Sequence, residues 1–109
     1  MKPHIKVFLL DDEGERFFGE GPFRLLQLIE KTGSLRSASQ EMNMAYSKAL
    51  KIMRHAEEAM GTPLTIRVIG GKNGGGSQLT DKGKELLEQY EAYRTQCIRA
   101  GEELFEKFF

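Results

Sequence analysis

The sequence predicts a mainly helical α+β domain, and three observations predict it. Apolar residues recur at helical spacing through four separate stretches. β-branched and aromatic residues cluster near the start and again over Leu64 to Ile69. Glycine, proline and asparagine stand between these stretches, where short turns are needed. At 109 residues, with 39% hydrophobic and 29% charged residues, the chain suits one domain with a modest core rather than a disordered segment.

Each element follows in order. His4 to Leu10 reads as a strand, Asp11-Asp12-Glu13-Gly14 as a turn, and Arg16-Phe17-Phe18 as its return, so residues 1–20 form an N-terminal β-hairpin. Gly19 to Pro22 breaks the pattern. A helix runs over Phe23 to Lys31, with Pro22 suited to the first helical position and Leu25, Leu26 and Ile29 on one face. Thr32-Gly33 ends it. Ser34 caps a short helix, Leu35 to Met42, and Asn43 tolerates the left-handed conformation of a tight turn. A third helix runs from Ala45 to Met60, with Ala49, Met53, Ala56 and Met60 as its buried stripe and Gly61 as its stop. Leu64 to Ile69 is a strand and Ser77 to Leu79 a short return. Thr80 caps a last helix over Asp81 to Phe108, with Asp81 placed favourably in its first turn. One domain, 1–109, thus divides into a hairpin (1–20), three helices and a hairpin (21–80) and a long C-terminal helix (81–109).

Composition excludes several classes. No apolar run approaches the roughly 20 residues of a membrane span, and Val7 to Leu10 is too short for a signal core of roughly 7–15 residues. A single cysteine, Cys97, excludes an internal disulfide and a multi-cysteine metal site, and points to a reducing cytoplasm. His4 and His55 have no cysteine or carboxylate pair at ligand spacing. Asp11, Asp12, Glu13 and Glu15 read as an exposed acidic turn. Without a Ser/His/Asp or Cys/His set, neither an enzyme, nor a metal, nor a cofactor is expected. The net charge of zero hides an asymmetry. Residues 21–78 carry eight Lys/Arg against four Asp/Glu, a net of +4, and each flank has a net of −2. A basic middle hints at an anionic partner.

Five of the seven residues from 70 to 76 are glycine. A phosphate-cradling P-loop would need Ser or Thr directly after Gly-Lys at a helix start, and here Asn73 follows Lys72. A plain flexible linker would not need the strands on either side. A wing, a hairpin tip lying on a nucleic-acid backbone, fits best. Glycines let the main chain approach phosphates, Lys72 adds charge and Asn73 a donor and an acceptor. Helix, short helix, tight turn, longer helix, hairpin is the order of a winged helix-turn-helix. Tyr46, Ser47, Lys48, Lys51 and Arg54 lie off the buried stripe of the third helix, and no acid occurs from Met42 through Ala56. Such a face suits a major groove walled by phosphates. Double-stranded DNA is therefore the expected partner. A protein-interaction module and an oxyanion sensor built on the glycine loop are the alternatives.

The segment GSLRSASQEMNMAYSKALKIMRHAEEAMGTPLTIR resembles the LysR-type helix-turn-helix, and GGKNGGGSQLTDKG resembles the wing of ModE-type molybdate-responsive regulators. The resemblance covers the chain to about Tyr93. It implies a homodimer on a pseudo-palindromic operator, held largely by long flanking helices. It also implies that Tyr46, Ser47, Lys48 and Lys51 enter the major groove, that Ser34, Arg36 and Ser37 sit near the backbone, and that Arg67, Lys72 and Asn73 serve the wing. Asn43 replaces a common glycine, and Ala45 a common Ser or Thr cap. The chain ends at Phe109 without the family's molybdate-binding module, so molybdate sensing is not expected, and a separate effector-sensing protein is left as a partner. Leu86, Tyr90, Tyr93, Cys97, Ala100, Leu104 and Phe108 recur as a narrow seam of the kind one helix presents to another. With Phe105 and the aromatic tail, this seam is expected to pack on a partner subunit. Cys97 reads as a small hydrophobe of that seam, or more sharply as a redox switch across a dimer axis.

Overall fold

The computed structural model describes residues 1–69 and 76–109. Helix α1 spans Glu20–Thr32 and buries Phe23, Leu25, Leu26, Leu28 and Ile29. It starts three residues earlier than the sequence suggested. Gly19, with extended backbone, takes the N-cap, and Pro22 falls in the first turn, where no N–H is needed. Gly33 closes α1 in the left-handed conformation, its N–H on the Ile29 carbonyl at 2.8 Å. Helix α2, Leu35–Glu41, is capped by Ser34, whose Oγ accepts the Ser37 N–H at 2.9 Å. Asn43 then turns the chain with φ 54°, and the Met44 N–H reaches the Ser39 carbonyl at 3.0 Å. Helix α3, Tyr46–Met60, buries Ala49, Met53 and Ala56 and leaves Met60 half-buried. Its N-cap, Ala45, offers no side-chain bond.

Two strands form the wing. β3 (Thr65–Val68) and β4 (Gly76–Leu79) pair antiparallel, with Thr65 opposite Leu79 and Val68 opposite Gly76. The wing is fixed at three points. The Glu57 carboxylate accepts the Leu64 and Thr65 N–H groups at 2.8 and 3.3 Å, tying α3 to its exit. The Thr80 N–H donates to the Leu64 carbonyl at 3.0 Å, and the Ser77 N–H to the Gly33 carbonyl at 2.7 Å. That last approach is so close that a Cβ at Gly76 would lie 2.4 Å from the Gly33 oxygen. Glycine is thus required at the corner where the wing meets the α1–α2 junction.

A second, smaller hairpin precedes α1. Only Leu9–Leu10 (β1) and Arg16–Phe18 (β2) make its ladder, with a register shift between Leu9 and Leu10. The predicted strand over His4 to Leu10 is therefore mostly absent. β2 pairs only with Leu9 and Leu10, and of the residues before them Ile5 and Val7 pack on the last helix instead. There the Val7 carbonyl accepts the Tyr90 hydroxyl at 2.7 Å, and Ile5 lies directly on Gly101.

Helix α4, Asp81–Phe108, is capped by Thr80, whose Oγ1 accepts the Gly83 N–H at 3.0 Å. Its first turns belong to the domain's own core. Leu86, Leu87 and Tyr90 are buried, and the Tyr90 ring meets Phe18 edge-on and Phe23 at a tilt, each at 5.0 Å. Of the expected seam, Leu86 and Tyr90 are thus buried in the core of their own subunit. Cys97 is half-buried against the same core. Tyr93, Leu104 and Phe108 remain exposed, and half-buried Phe105 stacks on Phe109 at 5.0 Å. The helix is about 42 Å long at 1.5 Å per residue, which stretches the molecule to 55 × 29 × 24 Å.

Candidate nucleic-acid interface

Side chains from four elements meet at one cleft. The α1–α2 corner, the first turn of α3 and the two wing strands enclose about 710 Å³. Ser34, Arg36, Ser37, Tyr46 and Arg67 all line it. The two serines are joined, the Ser34 hydroxyl lying 3.2 Å from that of Ser37. The Arg36 guanidinium lies 4.7 Å over the Tyr46 ring. Stacking of this kind contributes about 0.5–1 kcal/mol at an exposed site, so it orients an arginine whose donors meet no hydrogen-bond partner among the described residues. The cleft exists because Ser77 and Gly76 pin the wing against Gly33.

The outward face of α3 continues from the cleft. Ser47, Lys51 and Arg54, at intervals of four and three, fall on one side of a 3.6-residue helix, with Lys48 on its flank. All four are exposed. Ser47, Lys51 and Arg54 share a shallow groove of about 460 Å³. Lys48 and Lys51 also border a third groove, on the side of the N-terminal hairpin.

The cations of this face are exposed and stand on a stretch of sequence, Met42 through Ala56, that carries no acid, although exposed Glu58 lines the far end of the α3 groove. Among the described residues the ion pairs are Lys82–Glu85 and Arg94–Glu20, both involving α4. Arg36, Lys48, Lys51, Arg54 and Arg67 join neither. The first acid along α3, Glu57, is turned inward onto the Leu64 and Thr65 amides. The expected sites Lys72 and Asn73 lie outside the described residues.

Sequence reasoning missed part of this geometry. Thr32, Ile69 and Ser77 also line the cleft. Ser77 could have been suspected, since it directly follows the glycine run. Lys6 and Arg16 approach α3 from the hairpin, and nothing local in the sequence signals that proximity. His55 is no ligand. Its Nε2–H donates to the Arg16 carbonyl at 3.1 Å, and no group of three or more metal-binding side chains occurs among the described residues. No described helix is long and apolar enough to cross a membrane.

Residues 22–84, from α1 into the first turn of α4, match the family described as bacterial regulatory helix-turn-helix protein, lysR family. The molybdenum transport protein ModE of Azotobacter vinelandii is 32% identical over 98 residues, covering 90% of this chain and 36% of that protein. The transcriptional regulator ModE of Haemophilus influenzae is 36% identical over 68 residues, 62% of this chain and 27% of its own length. The molybdenum-pterin-binding protein MopB of Rhodobacter capsulatus is 32% identical over 84 residues, 77% of this chain and 31% of its own. The chain thus spans about a third of the length of these relatives.

Proposed function

The chain belongs to the lysR family of bacterial regulatory helix-turn-helix proteins, and on that premise we propose that it regulates transcription by binding double-stranded DNA in a sequence-specific manner. Helix α3 enters the major groove, whose width of about 12 Å admits a helix. Ser47, Lys48, Lys51 and Arg54 face the bases and the flanking phosphates. Tyr46, Ser34, Ser37, Arg36 and Arg67 receive a phosphate run in the cleft, and the wing, with Lys72 and Asn73, continues along the same backbone. The observation that carries this reading is the cluster of exposed cations on α3 and around the cleft, with no acid from Met42 through Ala56, on a chain whose net charge is zero. A face locally rich in positive charge suits an external polyanion. Such a regulator works in the cytoplasm.

The same reading includes a homodimer. Tyr93, Leu104, Phe105 and Phe108, with Cys97 at its edge, offer an apolar strip along the outer part of α4. Pairing there would set two α3 helices on half-sites about one turn of DNA, roughly 34–36 Å, apart. Residues 1–109 act as one unit, since a single core cluster draws on the hairpin, the three helices, the wing and α4. Molybdenum appears in the names of two of the three relatives, each matched over about a third of its length. We assign no oxyanion response to the matched segment.

The test is selection of bound fragments from genomic DNA, followed by affinity measured against salt. The expected result is an enriched pseudo-palindromic sequence, with log affinity falling linearly with log salt at about 0.9 per phosphate neutralised. Recovery of no sequence, with affinity indifferent to salt, would leave a protein-binding winged helix as the better account.

A further inference from the structure

We propose that the groove between the N-terminal hairpin and α3 is a binding site for an aromatic carboxylate, and that its occupant displaces DNA. The groove encloses about 710 Å³, within the range of roughly 300–1,000 Å³ typical of small-molecule sites. Its floor is apolar, made by Phe17, Phe18, Pro22 and Ile52, with Phe8 as a wall. Its rim is cationic, with exposed Lys6, Arg16, Lys48 and Lys51. Among the described residues one carboxylate lines it, Glu20, and that group is held by the Arg94 Nε at 2.5 Å. The rim is left with positive charge and no acid to answer it.

The aromatic wall is built rather than incidental. Phe8 is 42% exposed, yet it is fixed from two sides. The Arg16 guanidinium lies 4.6 Å from its ring centroid. On the other side the ring rests on Gly19, where a Cβ would come within 2.7 Å of its Cδ1. The His55 Nε2–H holds the Arg16 carbonyl at 3.1 Å, joining this wall to α3. An exposed ring held in place over an apolar floor suits a flat apolar body, and the rim suits its anionic end. The sugar-phosphate backbone of DNA has no such body to fill the floor.

Lys48 and Lys51 belong both to this rim and to the α3 face assigned above to DNA. An anion held between them and Arg16 would neutralise that face. The displacement clause rests on the proposed DNA binding; the site itself does not.

The full chain would be titrated with 2-naphthoate and with its neutral analogue 2-naphthalenemethanol, followed by backbone amide chemical shifts. Naphthoate should saturate and shift the amides of Phe8, Gly19 and Ile52, and the neutral analogue should bind about tenfold more weakly. Gly19→Val should abolish binding by dislodging the Phe8 ring. Arg16→Gln, which leaves the backbone untouched, should weaken it about tenfold if the circular dichroism is unchanged. Anisotropy of a labelled mixed-sequence duplex should show naphthoate releasing the DNA. Equal binding of both probes, no saturation, or shifts elsewhere would overturn the site. So would groove amides that answer only to duplex or to protein concentration, which would give the groove to DNA or to a second copy. A chain that binds naphthoate but no duplex would refute the DNA reading and leave the site standing. Naphthoate binding with duplex affinity unchanged would overturn the displacement.

Discussion

Helix α4 takes part in both ion pairs found among the described residues, while α3 carries Lys48, Lys51 and Arg54 with no carboxylate partner. The two helices also differ inside. α4 buries large side chains, Leu86, Leu87 and Tyr90, against the core. α3 buries mainly small ones, Ala49 and Ala56 around Met53, and so lies close to its neighbours with most of its circumference outward. Their starts differ as well, since Thr80 caps α4 with a hydroxyl and Ala45 leaves α3 without one. The first turns of α4 pack on the chain's own core, although its outer part leaves Tyr93, Leu104 and Phe108 exposed. Helix α3 leaves cations and amides open, a surplus that stabilises nothing in isolation and suits a partner that brings phosphate.

The sharpest way to break this contrast is Tyr90→Ala. It removes a ring packed on Phe18 and Phe23 and should lower unfolding stability by about 3–5 kcal/mol, read from urea denaturation. A loss under about 1 kcal/mol would mean that α4 is not part of the domain's core. Next is deletion of residues 104–109, which strips the exposed aromatic end of α4. Sedimentation should show a monomer that keeps the wild-type fold, whereas a truncated chain that stays dimeric would place the interface elsewhere.

Ala45→Ser sharpens the comparison from the other side. A hydroxyl at that N-cap should add about 1 kcal/mol of stability in the same denaturation assay. The smallest effect concerns pH. Burial first, and the Glu20 carboxylate second, push the Tyr90 phenol above its ordinary value, against an opposing pull from Arg94. The folded state therefore favours the neutral phenol. Its contribution is present below the ordinary value of about 10 and is lost as pH rises from there through the raised folded value. Tyr90→Phe forfeits the bond to the Val7 carbonyl, about 1 kcal/mol at neutral pH. It should also flatten the fall in stability as pH rises above about 10. An unchanged alkaline slope would count against the phenol's burial.

What the sequence disclosed follows the same division. The helix-turn-helix was legible almost residue by residue, because its signals are local: Ser34 at a cap, Asn43 at a left-handed turn, Gly61 at a stop. Failures came where distant parts meet. Ile5 and Val7 look like strand residues, yet they pack on α4, and tertiary contact overrides β-propensity. The seam on α4 has the right spacing, but periodicity does not say whose core a face meets. Leu86 and Tyr90 turned out to meet their own. The stacking of Arg36 on Tyr46 and the nearness of Arg16 to Lys48 depend on how three elements cross, which no local pattern encodes. The cleft likewise depends on the contact of Gly76 and Ser77 with Gly33, which are far apart in sequence.

The most direct test of the central claim is the triple variant Lys48→Ala, Lys51→Ala, Arg54→Ala, with duplex affinity measured across a salt series. The claim predicts unfolding stability within about 0.5 kcal/mol of the parent, a large loss of affinity, and a salt slope shallower by about 0.9 for each phosphate contact removed. A folded triple variant that binds duplex with unchanged affinity and unchanged slope would contradict it.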